Sequence, residues 1–187
     1  MTQVSTAELA SWLNSTLDIA RFKDYCPNGL QVEGKPYIGK LVTGVTASLA
    51  LIDAAIARQA DAILVHHGWF WKNENPCIVG TRKTRIERVL SHQLNLLGYH
   101  LPLDAHPEFG NNAQLARQLG IEVLRDANGL AQTCGPDGLV WLGELPAPVS
   151  LETFGLTVCN NLQRKPLSVG DLQRKIRRIA WCTGGAQ

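Results

Sequence analysis

The stretch that decides the fold runs from residue 41 to residue 66 and reads LVTGVTASLALIDAAIARQADAILVH. Its first six residues predict a β-strand, residues 49–58 predict a helix, and residues 62–66 are an apolar run typical of a buried strand. A strand, a helix and a second strand make a βαβ unit, whose crossover length favours parallel pairing. In open α/β sheets, ligands bind at the carboxyl ends of such strands. The residues that follow each strand are therefore the first candidates for a functional site.

The composition is that of a globular protein. The chain has 187 residues, of which 45% are hydrophobic and 18% are charged, so it can bury a sizeable core. Its formal net charge of +2 is too small to indicate nucleic acid or an anionic membrane as a partner. The N-terminus lacks a secretory pattern, no apolar run approaches a membrane span, and the five cysteines form no C-x-x-C pair. We therefore expect a cytoplasmic protein with reduced thiols.

The regions outside the βαβ unit predict a chain of mixed α/β class. Ser5 and Glu8 have the spacing of a capping box, and an amphipathic helix follows them. The remaining predicted elements are a loop at 68–80, a basic helix at 81–91, strands at 94–100, 139–144 and 178–182, and helices at 111–119 and 151–162. Residues 127–137 are rich in Gly, Asn, Thr and Pro, which is typical of a joint. We therefore predict a first α/β unit at 1–126 and a second unit at 127–187.

A turn-rich loop precedes the βαβ unit. Residues 25–34 contain Pro27, Asn28 and Gly29 in succession, which favours a structured turn. Ordering such a loop costs conformational entropy, so other groups must hold it in place. We predict that this loop packs beside the functional site.

Histidines occur at the ends of two predicted strands. His66 and His67 end the first run, and His100 ends the second, with Asp104 four residues later. Imidazole and carboxylate groups are ligands that suit zinc, iron or manganese, so the pattern predicts a metal site. Adjacent residues of a regular strand point to opposite faces, so His66 and His67 share one ion only if the chain bends, whereas a two-metal cluster takes one from each. The alternative interpretation is a set of polar residues in strand-end loops.

Other residues near these motifs have open interpretations. His100 and His106 are candidates for a proton shuttle, because imidazole titrates near neutral pH, or for a residue that orients a metal ligand. His92, at the end of a predicted helix, is interpreted as solvated. The basic residues of the helix at 81–91 have two interpretations: they attract a phosphorylated substrate, or they form a solvated face. Trp69 and Trp71 favour either a wall of the site or stacking on a base, or else a role in packing or in a subunit contact.

Several motifs occur together in one order along the chain. They are PNGLQVEG at 27–34, VTGVTA at 42–47, ILVHHG at 63–68, HLPLDAHP at 100–107, GNN at 110–112 and WCTGG at 181–185. From about residue 20 to the end, this combination resembles the YbgI-like proteins called GTP cyclohydrolase I type 2 homologues. The resemblance implies a duplicated Nif-three-like α/β fold, with mixed sheets flanked by helices, and a ring-shaped homo-hexamer.

The same resemblance implies a dinuclear metal centre. By this resemblance, His66, His67 and Asp104 match metal ligands, while His100 matches a residue at or beside the centre, which we predict to be catalytic. Family members continue beyond the WCTGG segment, where they supply a His and a Glu to the same metals. We therefore expect an incomplete second repeat, a site that holds one ion rather than two, and a strand at 179–182 that lacks a pairing partner. An unpaired apolar strand favours irregular self-association over a closed ring.

Together, the residues and the resemblance predict a divalent-metal-binding protein that acts as a metal-dependent hydrolase on a nucleotide-like small molecule. The alternative is a non-catalytic, metal-binding scaffold that forms rings and binds partner proteins. The expected partners are further copies of the chain and a nucleotide-like ligand. Nucleic acid and membrane are not expected as partners.

Overall fold

The computed structural model describes residues 3–184 and divides the chain into two units, Met1–Leu103 and Asp104–Gln187. The strands of the first unit are β1 (Val4–Ser5), β2 (Gly29–Val32), β3 (Tyr37–Ile38), β4 (Leu41–Thr46), β5 (Ala62–His67) and β6 (Asn95–Gly98). Its helices are α1 (Thr6–Thr16), α2 (Leu49–Ala57) and α3 (Gly80–Ser91), with a 3-10 turn at Ile19–Arg21. A fourth short helix, α4 (Leu101–Ala105), follows β6.

The predicted βαβ unit is confirmed. Strands β4 and β5 are joined by α2 and pair in parallel, and β5 pairs in parallel with β6. Strand β2 adds to the other edge of β6 in the antiparallel sense, so the sheet is mixed and has the order β2-β6-β5-β4. The predicted capping box also forms, because Glu8 N donates to Ser5 Oγ and Ser5 N donates to the Glu8 carboxylate, each at 3.2 Å.

Both faces of the first sheet are buried by alternating side chains of its central strands. Ile63 and Val65 of β5 belong to one apolar cluster with residues of α2 and α3. Ala62 of β5 and Leu97 of β6 belong to a second cluster with residues of α1. Burial on both faces explains why β5 reads as an unbroken apolar run rather than as an alternating strand.

The second unit is built around an antiparallel sheet. Its strands are β7 (Glu122–Val123), β8 (Thr133–Cys134), β9 (Val140–Ser150) and β10 (Lys175–Trp181), and its helices are α5 (Asn111–Leu119) and α6 (Leu151–Leu162), with a 3-10 turn at Pro136–Gly138. Strand β9 lies between β10 and β7, and β8 also pairs with β9. Trp141 and Trp181 lie opposite each other in the register and pack with α5 in the core of this unit.

Two expectations from the sequence are wrong. The last strand has a pairing partner, because β10 pairs with β9 from Lys175↔Ser150 to Trp181↔Trp141. Residues 178–181 pair with residues 141–144, which lie within the strand predicted at 139–144, and β9 continues six residues further, to Ser150. The strand predicted at 94–100 also ends early, at Gly98, since α4 begins at Leu101 and Pro102 lies in its first turn, where proline is tolerated. Residue 185, the last glycine of the WCTGG motif, lies outside the described residues.

Among the helices of residues 3–184, none combines the length and the apolar composition that crossing a bilayer requires.

Candidate metal centre

Three histidines of the first unit come together at the edge of its sheet. His66 and His67 end β5, and His100 lies two residues beyond β6. Because β5 and β6 are parallel neighbours, their carboxyl ends meet at the same edge. One potential ligand atom from each imidazole lies within 4.8 Å of the other two. The ring centroids are 4.5 Å apart for His66 and His67, 5.1 Å for His66 and His100, and 5.7 Å for His67 and His100.

Each of the three imidazoles has a defined partner at its Nδ1 atom. His66 Nδ1 lies 3.0 Å from the carbonyl oxygen of Tyr99, which can only accept, so this nitrogen donates. His100 Nδ1 lies 2.7 Å from the Asp24 carboxylate, and His67 Nδ1 lies 3.3 Å from the hydroxyl of Thr46. Metal-ligating histidines are commonly oriented in this way by a carbonyl, a carboxylate or a similar group. Ligation at this cluster would therefore use Nε2.

Asp24 is the principal orienting group, and sequence reasoning missed it. Its side chain is only 3% exposed. The carboxylate accepts four hydrogen bonds, from His100 Nδ1, Asn28 Nδ2 and the backbone N–H groups of Tyr25 and Leu101. Burial alone would raise the pKa of Asp24, but these four donors outweigh burial and hold its pKa below the usual value. A carboxylate with its lone pairs occupied in this way orients a ligand rather than binding an ion itself.

A second group of potential ligands overlaps the first. Asp24, Cys26 and His100 also lie close enough together to hold an ion. However, burial, together with the nearby charge of Asp24, raises the pKa of the Cys26 thiol to about 12. Since the thiolate is the form that binds metals, this environment disfavours Cys26 as a ligand. The three-histidine cluster is therefore the better candidate.

The turn-rich loop packs beside this cluster, as the sequence predicts. Asn28 Oδ1 accepts from the backbone N–H of His100 at 2.7 Å, and Gln31 Oε1 accepts from the backbone N–H of Trp69 at 2.7 Å. The Gln31 amide also fills the space beside Gly68 and Gly98, where an added Cβ would collide with it. The two glycines thus let the loop approach the strand ends.

Comparisons with known proteins place the chain in a family. A family model described as Duf34/NIF3 (NGG1p interacting factor 3) matches residues 4–187. This chain belongs to the DUF34/NIF3 family. It is 52% identical over 184 residues to the GTP cyclohydrolase 1 type 2 homolog of Pseudomonas aeruginosa and 48% identical over 185 residues to that of Escherichia coli. Each alignment covers 98% of this chain and 71% of the relative.

Solved structures of DUF34/NIF3-like proteins share the fold. The structure of protein ybgI, described as of unknown function, matches with a TM-score of 0.88 at 47% identity and covers 98% of this chain and 71% of its own. A Bacillus cereus protein related to NIF3 is only 15% identical, but it matches with a TM-score of 0.79 over 96% of this chain and 76% of its own. The predicted mixed α/β fold is therefore confirmed. The internal duplication stays a prediction.

The sequence predicts Asp104 as a metal ligand. In the structure, Asp104 is the first residue of the second unit. Its side chain is buried. Asp104 Oδ1 accepts from Asn111 Nδ2 at 2.8 Å and from Thr183 Oγ1 at 3.0 Å. These bonds fix the orientation of the carboxylate. The role of Asp104 as a ligand stays a prediction.

The two remaining histidines have local structural roles. His92 is exposed at the end of α3, where its Nδ1 lies 2.9 Å from the carbonyl oxygen of Arg88, which agrees with its interpretation as a solvated residue. His106 Nδ1 accepts from the backbone N–H groups of Glu108 and Phe109, and its ring stacks on Phe109 with the centroids 4.9 Å apart. Both rings thus stabilise the ends of local turns.

The basic helix uses its arginines mainly for contacts with neighbouring residues. Arg82 lies 3.7 Å from the Glu74 carboxylate, and its guanidinium group lies over the ring of Phe70. Arg85 lies over the ring of Trp69, with its guanidinium carbon 5.8 Å from the ring centroid. These contacts attach the loop after β5 to α3.

Proposed function

We propose that this chain binds a divalent transition metal through the imidazoles of His66, His67 and His100. The observation that carries the proposal is the approach of these three side chains within 4.8 Å at the ends of two neighbouring parallel strands. The donor set fits the metal, because three neutral imidazoles suit zinc or iron. The bonds at Nδ1 of each ring support the fit, since metal-ligating histidines are commonly oriented by such partners.

For His100 we propose a role different from the one predicted from the sequence. The sequence predicts a catalytic residue beside the centre, whereas its place in the cluster favours a third nitrogen ligand. Metal content separates the two roles. If His100 is a ligand, His100→Ala loses metal, and if it only transfers protons, His100→Ala keeps metal and loses turnover.

Asp104 is proposed as a carboxylate ligand, as the sequence predicts. Its contribution is tested by elemental analysis of Asp104→Ala beside the wild type. A clear loss of metal would support the assignment, and equal metal content in the two proteins would remove Asp104 from the ligand set.

We further propose that the chain is a metal-dependent hydrolase that acts on a nucleotide-like substrate. The name of its relatives, GTP cyclohydrolase 1 type 2 homolog, supports this substrate class. When bound, the ion would supply Lewis-acid activation of a substrate oxygen and of water. The residues of this chain would keep the ligands in place: Asp24 holds His100, Tyr99 O holds His66, and Thr46 holds His67.

The test combines metal analysis with turnover. Purified wild-type protein is loaded with zinc, iron or manganese in separate samples, and each sample is assayed with GTP. We expect at least one metal to be retained and to support turnover that disappears in His67→Ala but persists in the matched control His92→Ala. Metal retention without any turnover would contradict the hydrolase and favour the non-catalytic scaffold. Absence of retained metal would contradict the metal site itself.

A further inference from the structure

Two indole rings follow the histidine pair, and the structure gives them different surroundings. Both lie in the segment 68–79, which joins β5 to α3 and which we call the aromatic loop. Trp69 is only 6% exposed, belongs to the apolar core beside β5, and donates from Nε1 to the carbonyl oxygen of Ala47 at 3.1 Å. These contacts show that Trp69 packs in the core. Trp71 is only half-buried.

Trp71 lies against the histidine cluster. Its ring centroid is 4.9 Å from that of His100, with the ring planes at 83°, and 6.0 Å from that of His67. Together with His66, whose ring centroid lies 4.5 Å from that of His67 and 5.1 Å from that of His100, these half-buried rings line a surface that we call the aromatic wall. A surface of this kind favours flat, π-bearing ligands over flexible or purely charged ones.

The aromatic loop holds Trp71 in a fixed position. Trp71 Nε1 donates to the carbonyl oxygen of Gly68 at 3.1 Å, and its backbone N–H donates to the Glu74 carboxylate at 3.3 Å. The next residue is also held, because Lys72 N donates to the carbonyl oxygen of Tyr25 at 2.6 Å. Because the indole N–H is already bonded, the exposed part of Trp71 offers ring surface rather than a hydrogen-bond donor.

The backbone beside Trp71 is in an unfavourable conformation. Phe70 has a φ of +65°, in the left-handed region that bulky residues seldom adopt. Such conformations persist where surrounding contacts impose them, and they concentrate at ligand-binding sites. Here the contacts of Arg82 with Phe70 and Glu74 hold the loop. Phe70 lies between the two indoles, so this turn separates Trp69 in the core from Trp71 beside the histidine cluster.

We propose that Trp71 determines specificity by stacking on the planar heteroaromatic ring of a substrate bound at the histidine cluster, an inference that rests on the proposed function. Stacking of this kind distinguishes ligands with a ring from ligands without one, but it distinguishes poorly between one base and another. Trp71 is therefore expected to select for the presence of a base. The phosphate groups must be recognised elsewhere.

The test compares two substitutions at one position in the full-length, metal-loaded chain. Trp71→Leu keeps apolar bulk but removes the ring face, whereas Trp71→Phe keeps a six-membered aromatic ring and removes the five-membered ring with its N–H bond to Gly68. Trp12→Leu is the matched control, because Trp12 is 60% exposed on α1. Binding of GTP, ATP and inorganic triphosphate is measured by calorimetry, and thermal unfolding and metal content are measured for every variant.

We expect Trp71→Leu to weaken the binding of GTP and ATP by about 5- to 150-fold, the range that base–aromatic stacking supplies. Trp71→Phe should recover most of that loss. Triphosphate affinity and metal content should stay the same in all variants. An unchanged affinity of Trp71→Leu for GTP would overturn the proposal, as would an equal loss of GTP and triphosphate binding.

The outcomes also separate this inference from the proposed function. If metal-loaded wild type binds neither GTP nor ATP, stacking is overturned, while the metal site stands on its elemental analysis. If the wild type binds no metal but still binds GTP in a manner that depends on Trp71, stacking stands and the proposed metal site fails.

Discussion

The histidine cluster of the first unit and a polar cluster of the second unit differ in burial. In the second unit, Asn112 is 0% exposed and bonded on all sides. Its Nδ2 donates to Leu139 O, its Oδ1 accepts from Thr183 N, and its carbonyl oxygen accepts from Trp181 Nε1. The three imidazoles of the first unit are only half-buried, and the structure holds each through Nδ1. A fully buried cluster fixes the fold, whereas a half-buried cluster of oriented imidazoles is suited to binding.

The type of sheet explains why the binding cluster is in the first unit. Strands β5 and β6 run in parallel, so their carboxyl ends bring residues 66, 67 and 100 to one edge. Strands β9 and β10 are antiparallel, so the carboxyl ends of neighbours point to opposite edges. We therefore expect substitutions in the first cluster to affect binding and substitutions in the second to affect stability.

The largest effect is expected for the ligands themselves. His66→Ala and His67→Ala each remove one imidazole from a three-nitrogen set, so metal affinity should fall by more than the roughly 10–100-fold typical of losing an orienting partner. The free energy of unfolding of the metal-free protein should change by less than about 1 kcal/mol, since these side chains are half-buried. Elemental analysis and urea titration measure the two quantities, with His92→Ala as the control. A large loss of stability without a loss of metal would contradict the expectation that the histidine cluster serves binding rather than stability.

The opposite result is expected for Asn112. Asn112→Ala leaves the part-buried carbonyl oxygen of Leu139 and backbone N–H of Thr183 without this partner and empties a buried site, so the free energy of unfolding should fall by about 3 kcal/mol. The matched control is Asn161→Ala, because Asn161 makes a single exposed hydrogen bond, to Gln118 O. Urea titration of both variants checks the expectation. If both variants lose the same small amount, the cluster of the second unit does not fix the fold.

A smaller effect on binding is expected for Asp24. Asp24→Asn keeps the shape of the side chain but replaces an acceptor oxygen with a donor group, so it holds His100 less firmly. Metal affinity should fall by about 10–100-fold, the usual cost of losing an orienting carboxylate. Asp53→Asn is the control, because Asp53 is an exposed partner of Arg88. Metal affinity that is unchanged in Asp24→Asn would show that His100 needs no orienting partner.

The smallest effect is expected for Asp61, which directly precedes β5 and so lies at the opposite end of that strand from His66 and His67. The hydrogen bond from Lys35 is the main cause that holds the pKa of Asp61 below its usual value, and the backbone N–H groups of Gly39 and Lys40 add to it. The ionised form therefore stabilises the fold above the unfolded-state pKa, and this contribution is lost as pH falls through the folded-state pKa. Asp61→Asn should cost about 1–2 kcal/mol at neutral pH, and less as the solution is made strongly acidic. Urea titrations at a series of pH values measure the difference, and a cost that is independent of pH would contradict this origin.

The sequence predicted the local elements well because their patterns are local. The boundaries of β4, α5 and α6 agree with the predicted ones, and the apolar run before His66 is the central strand β5. The pairing of β10 with β9 could not be predicted in this way, because it joins segments separated by the whole of α6 and its following loop. Antiparallel pairing across such a distance depends on tertiary packing rather than on a pattern within either strand.

The candidate site was predicted in part. The positions of His66, His67 and His100 at strand ends followed from the βαβ pattern, because parallel strands share an edge. Asp24 was missed because a buried carboxylate in a loop has no periodic pattern. The only signal in the sequence was an acidic residue three positions before the turn at Pro27-Asn28-Gly29.

The most direct test of the metal site is a crystal structure of the zinc-loaded chain, with anomalous diffraction recorded at the zinc edge. We expect one strong anomalous peak at the histidine cluster, about 2.0–2.1 Å from Nε2 of His66, His67 and His100. Asp24 should remain bonded to His100 Nδ1 rather than to the ion. A cluster without a peak, or a zinc ion bound instead by Asp24 and Cys26, would contradict the proposal that these three histidines hold the metal.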